Sequence, residues 1–188
     1  MKWQAGDVLA FYGTDWLSRL ISLATFGGPS HVGIVCEYNN LGWVLVESIS
    51  ECKRQCLIAN ALAKGCQVHY PEARIADYAL SGARCELWRL TPQWALRHER
   101  GDLLTEILID QVVRHHDPYD LFGAALSWTR LSHLTDASYH SFFCSALAAW
   151  GLMRVGRIPI NNPRLYSPAG LIRQLRRTGV AKKSTIYR

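Results

Sequence analysis

Cys144, in Phe142-Phe143-Cys144-Ser145-Ala146-Leu147, and His31, in Ser30-His31-Val32-Gly33-Ile34-Val35, are the side chains of this sequence best placed to do chemistry. A thiol at a helix start and an imidazole able to take its proton are the two parts of a thiol nucleophile site. Glu47 is a carboxylate inside a strand-like run, Trp43-Val44-Leu45-Val46-Glu47-Ser48-Ile49. Buried alone it would be costly; beside His31 it would fix the imidazole tautomer and favour the imidazolium. Free cysteine is among the most buried residue types, so position rather than type singles out Cys144. With Ser141 as the helix cap, Cys144 is the third helical residue. There the free N–H groups and the positive helix end favour thiolate and can hold an oxyanion.

The other cysteines and histidines fit other readings. Cys36 lies five residues past His31, so strand alternation aims it at the opposite sheet face, and Cys85 alternates with Leu87 into a core. Cys52 and Cys56 have a spacing that suits a helical metal pair, but no second close Cys/His pair accompanies them, and no metal is expected. His140 lies four residues before Cys144 and is a rival base. His115 and His116 sit at a helix end, where a cation meets the dipole, and His69, His98 and His133 have no evident reactive neighbour. Ser141 and Ser145 flank the helix start without a Gly-x-Ser-x-Gly elbow.

Several elements must position these groups. Val8 to Tyr12 reads as a short strand, and Thr14 or Asp15 can cap a helix with Leu17, Leu20, Ile21 and Ala24 on one face. Thr25 to Ser30 stops that helix, and the strands of His31 and Glu47 are joined by the turn-rich hexamer Glu37 to Gly42. A hairpin centred on Asn39 sets His31 opposite Glu47, with Cβ atoms roughly 4.5–5.5 Å apart. A centre at Asn40 makes them diagonal, roughly 7–8 Å apart on one face. A slip of one residue would put them on opposite faces. Further on, Cys66 to Tyr70 reads as a strand ended by Pro71, Ala73 to Ala79 as a short helix, and Arg84 to Leu90 as a strand. Asp102 can cap a helix with Leu104, Ile107, Leu108 and Val112 inward. Asp117-Pro118 opens another, Gly156 ends the Cys144 helix, and Ser167-Pro168 starts the last. Helices flanking short strands make an α+β domain spanning 1–176, followed by a basic tail at 177–188.

The 188-residue chain is 49% hydrophobic, enough for a sizeable core, and has no run long enough to span a bilayer. The start, Met1 to Asp7, lacks the order of a signal peptide, so the cytoplasm with reduced thiols is the expected location, with release by lysis as the exception. The net charge of +6 is moderate. The basic residues Arg173, Arg176, Arg177, Lys182, Lys183 and Arg188 could meet a membrane surface or an anionic polymer, or form a solvated tail. No specific nucleic-acid partner is expected.

A histidine strand, then a carboxylate strand, then a helix beginning Phe143-Cys144-Ser145 resembles the circularly permuted papain-like hydrolases. This is the permuted branch of the NlpC-like superfamily, with YiiX-like bacterial proteins and relatives of lecithin:retinol acyltransferase. Gly6 to Phe11, Trp16 to Ile21, Val46-Glu47-Ser48, Pro118-Tyr119-Asp120 with Gly123, and Ser167-Pro168-Ala169 fall in the family's order. The chain departs after Cys144-Ser145, where Ala146 to Ala149 replace the usual acidic or polar residue. The resemblance implies a small antiparallel sheet with the nucleophile helix packed against it. It also implies a cofactor-free thiol hydrolase with the triad Cys144, His31 and Glu47 acting on an amide or ester in a peptide, such as a peptidoglycan-type peptide, or in a lipid. Tyr12, Ser30 and Ser145 are candidate substrate contacts. A lipid acyltransferase or esterase and a non-catalytic interaction module are the alternatives.

Overall fold

A computed structural model describes residues 2–49, 53–114 and 143–187. In chain order the elements are β1 (Val8–Tyr12), α1 (Trp16–Ala24), β2 (His31–Tyr38), β3 (Gly42–Ile49), β4 (Gly65–His69) and α2 (Pro71–Leu80). Then follow β5 (Arg84–Leu90), α3 (His98–Arg114), α4 (Cys144–Arg154), α5 (Pro168–Arg177) and β6 (Ala181–Tyr187). The strands form one sheet in the order β4-β3-β2-β1-β5-β6, and all neighbours run antiparallel. The architecture is α+β, and α4 packs on β2 and β3.

Strand alternation divides the sheet's side chains between two cores. Val8, Ala10, Val32, Ile34, Val44 and Val46 face α3, α4 and α5, where they meet Leu104, Leu108, Leu147, Leu152 and Leu171. Leu9, Phe11, Val35, Leu45 and Leu87 face the other way, onto Ile75 and Tyr78 of α2. Phe11 pairs with His31, and Glu47 lies two residues beyond Leu45, so both candidate site residues share the α2 face. Gly33, between them on that face, has no room for a side chain: a Cβ there would lie 2.8 Å from Leu45 Cδ1.

Local signals account for the helix ends. Asp15 caps α1 by accepting from Ser18 N at 2.8 Å, and Ser167 caps α5 by accepting from Gly170 N at 3.1 Å. Past α4, Gly156 takes the left-handed conformation (φ +70°), and the amide of Arg157 returns to Leu152 O at 2.8 Å.

The structure corrects the readings of helix α3 and of the C-terminal segment. Helix α3 starts at His98, with Asp102 inside it receiving a hydrogen bond from His98 Nδ1, and Ile109 rather than Ile107 is buried beside Leu104, Leu108 and Val112. The basic segment expected as a tail from 177 instead supplies β6, an edge strand on β5. The open edge of β5 offers backbone groups that the last strand satisfies, and its exposed lysines are typical of a protected edge. The Asp117-Pro118 helix start, His115, His116, His133, His140, Ser141 and Cys52 lie outside the described residues. Among the described residues no helix is long and apolar enough to cross a membrane.

Candidate active site

The β2–β3 hairpin pairs Ile34 with Val46 and Tyr38 with Gly42, so its centre falls on Asn40. His31 and Glu47 are therefore diagonal neighbours on one face, the second of the two compatible registers. His31 Nε2 donates to Glu47 Oε2 at 2.6 Å. That leaves Nδ1 as the ring nitrogen free to meet a thiol.

Cys144 is the thiol that acts on this imidazole. It is the first residue of α4, with Phe143 as an N-cap that makes no side-chain capping bond. The expectation of a third-position cysteine under a Ser141 cap is thus corrected: the helix begins at the thiol itself. The first helical hydrogen bond runs from Leu147 N to Phe143 O at 3.1 Å, so the amides of Cys144, Ser145 and Ala146 stand ahead of it. These are the groups that can hold an oxyanion. The Cys144 sulfur lies close enough to His31 to act on its protonation, although only 4% of the residue is exposed.

Burial works against a charged His31, but the Cys144 sulfur and the Glu47 carboxylate outweigh it and push the imidazole up to about 9. Cys144 contributes more than Glu47. In Cys144→Ala, His31 is therefore expected to titrate at a clearly lower pH, which imidazole NMR across pH 5–10 will read. An unchanged midpoint would mean that the two groups do not meet in solution.

Glu47, fully buried, holds more than His31. Its Oε1 accepts from His69 Nδ1 at 2.8 Å and from Arg74 Nε at 2.6 Å. Arg74 Nη1 continues to Asp77 Oδ2 at 3.0 Å, and Asp77 is clasped by Arg54 at 2.6 and 3.0 Å. Burial would raise the Glu47 pKa, yet Arg74, His31 and His69 together hold it well below the ordinary carboxylate range. In the sequence neither His69 nor Arg74 stands beside a reactive group. Their signal is weak but real: β4 pairs His69 with Leu45, beside Glu47, and Pro71 starts a helix that carries Arg74 back over the sheet.

The three candidate substrate contacts fall in different places. Ser30 lines the same groove as His31, with its hydroxyl accepting from Gly13 N at 3.1 Å and donating to Phe11 O at 3.3 Å. Tyr12 points to the opposite sheet face, where its hydroxyl donates to Glu86 at 2.9 Å and Arg84 stacks 3.9 Å from its ring centre. Ser145 is fully buried and donates to Tyr166 O at 2.6 Å, which ties the start of α4 to the following loop. The groove, of about 1630 Å³, is also lined by Trp16, Lys53, Lys64, His69 and Tyr70.

No family model and no curated protein matches the sequence. Among solved structures the chain is similar to the metalloprotein YiiX from Escherichia coli O157:H7, at 15% identity and a TM-score of 0.57, over 97% of this chain and 88% of that one. That likeness, carried by backbone rather than by sequence, shows that the chain has a YiiX-like fold.

Proposed function

We propose that this protein is a thiol hydrolase of the permuted papain-like kind, with Cys144 as nucleophile, His31 as base and Glu47 as the group that orients and charges the base. The meeting of Cys144 at the start of α4 with a Glu47-bound imidazole carries the reading. His31 takes the thiol proton, and the thiolate attacks an amide or ester carbonyl. The oxyanion rests on amides of the first turn of α4. The imidazolium gives its proton to the leaving amine or alcohol as the C–N or C–O bond breaks. Water, deprotonated by His31, then splits the thioester and releases the acid.

YiiX is described as a metalloprotein. The donors around Glu47 do not fit a divalent cation: the carboxylate already accepts from His31, His69 and Arg74, and the Arg74 cation repels a second one. No group of three or more His, Cys, Asp or Glu side chains suited to a metal occurs among the described residues.

Exposure to an electrophilic acyl probe at neutral pH followed by peptide mass spectrometry tests the reading. A single adduct on Cys144, reduced at least tenfold in His31→Ala, is the expected outcome. Labelling spread over the other cysteines, or labelling of Cys144 that ignores His31, would remove the basis for it.

A further inference from the structure

Helix α1 turns its apolar side to solvent. Trp16, Leu20 and Leu23 are spaced by four and three residues, which places them on one stripe, and they are 73%, 50% and 77% exposed. Phe26 extends the patch at 94% exposure. It sits in the left-handed region (φ +59°), and the turn that presents it is closed by bonds from Phe26 N to Leu23 O at 3.2 Å and Gly27 N to Ser22 O at 2.7 Å. A bulky aromatic residue in that conformation is unusual, and a water-facing turn gains nothing from it. Four large apolar side chains on one short segment form a patch of the kind that marks an interaction site.

The surroundings of the patch are basic. Arg19, exposed, borders the apolar stripe on α1. Trp16 also lines the groove of His31, whose other wall carries exposed Lys53 and Lys64. The acids among the described residues of the groove are engaged: Asp15 caps α1 through Ser18, and Asp77 holds Arg54 and Arg74. An apolar stripe bordered by cations, in a chain of net charge +6, is complementary to an anionic lipid surface, with the ring and leucines among acyl chains and the cations at the headgroups.

We propose that α1 and the Phe26 turn dock the protein on an anionic bilayer, with the mouth of the His31 groove at the membrane interface. The docking uses no atom of Cys144, so it stands or falls apart from the hydrolase reading.

Co-sedimentation of the full chain with phosphatidylcholine vesicles, with and without phosphatidylglycerol, tests it. Binding is expected to need the anionic lipid and to weaken with salt. It is expected to fall at least tenfold in Leu20→Ser/Leu23→Ser/Phe26→Asn and to be unchanged in Cys144→Ala. Phe26→Asn alone, a substitution its backbone tolerates, is expected to weaken binding several-fold with an unaltered melting curve. Absence of binding to the anionic vesicles, equal binding to both lipids, or undiminished binding by both variants would overturn the proposal. So would a wild-type dimer that the triple variant converts to monomer, since the face would then belong to a second copy of the chain.

Discussion

Cys144→Ala is expected to lower kcat/KM on an amide or ester substrate roughly 10⁴-fold or more, with stability moved by no more than about 1–2 kcal/mol. The activity loss follows from the division of labour proposed for the site. The imidazole and the helix-start amides can still bind the reacting carbonyl, but no atom remains to form the thioester, and the residual rate is that of a positioned water. The small stability change follows because the side chain loses one sulfur and α4 keeps its packing through Ala146, Leu147 and Leu152. His31→Ala is expected to cost a similar factor, and the double variant little more than either, since members of such a unit are not additive. Steady-state kinetics beside thermal melts check all three. A Cys144→Ala protein that keeps its turnover would end the mechanism.

Arg74→Met is expected to destabilise the fold by about 3–5 kcal/mol. For a chain of this length that is a drop in melting temperature of about 6–20 °C. Arg74 is 5% exposed and bonds the fully buried Glu47, so its removal strands a carboxylate in the interior with two histidines as its remaining partners. Lysine cannot reproduce the span from Glu47 to Asp77, which uses Nε and Nη1 of one planar guanidinium, so Arg74→Lys is expected to recover only part of the loss. Glu47→Leu/Arg74→Met is expected to be more stable than Arg74→Met, because no unpaired charge is left behind, and yet to be poorly active. Chemical denaturation of the three variants checks this order. Equal stability of Arg74→Met and wild type would show that Glu47 does not depend on Arg74.

Glu47 also makes the stability of the fold depend on pH. The folded pKa of Glu47 lies below its ordinary value of 4.5, so its stabilisation is present above that pH and is lost as the pH falls through the folded value. His31 works in the opposite sense. Raised from 6.5 to about 9, it stabilises fully below 6.5 and ceases to do so as the pH rises through 9. Neutral pH lies where both contributions hold.

Residue types and their local spacing were enough to expose the triad candidates. A thiol ahead of an apolar helical run, a histidine opening one strand and a carboxylate within the next are all short-range patterns, and the period of two allowed only registers that join His31 and Glu47 or separate them altogether. The caps at Asp15 and Ser167 and the stop at Gly156 are legible for the same reason: each acts within four residues of itself. Contacts between distant segments carry no such signature. His69 and Arg74 reach Glu47 from 22 and 27 positions away, and only the pairing of β3 with β4 and the return of α2 across the sheet bring them there. Tyr12 and Ser145, near the site in sequence, are turned from the groove by strand alternation and by the Tyr166 carbonyl. The last basic residues became an edge strand because β5 had an open side to cover, a need that no property of residues 181–187 announces.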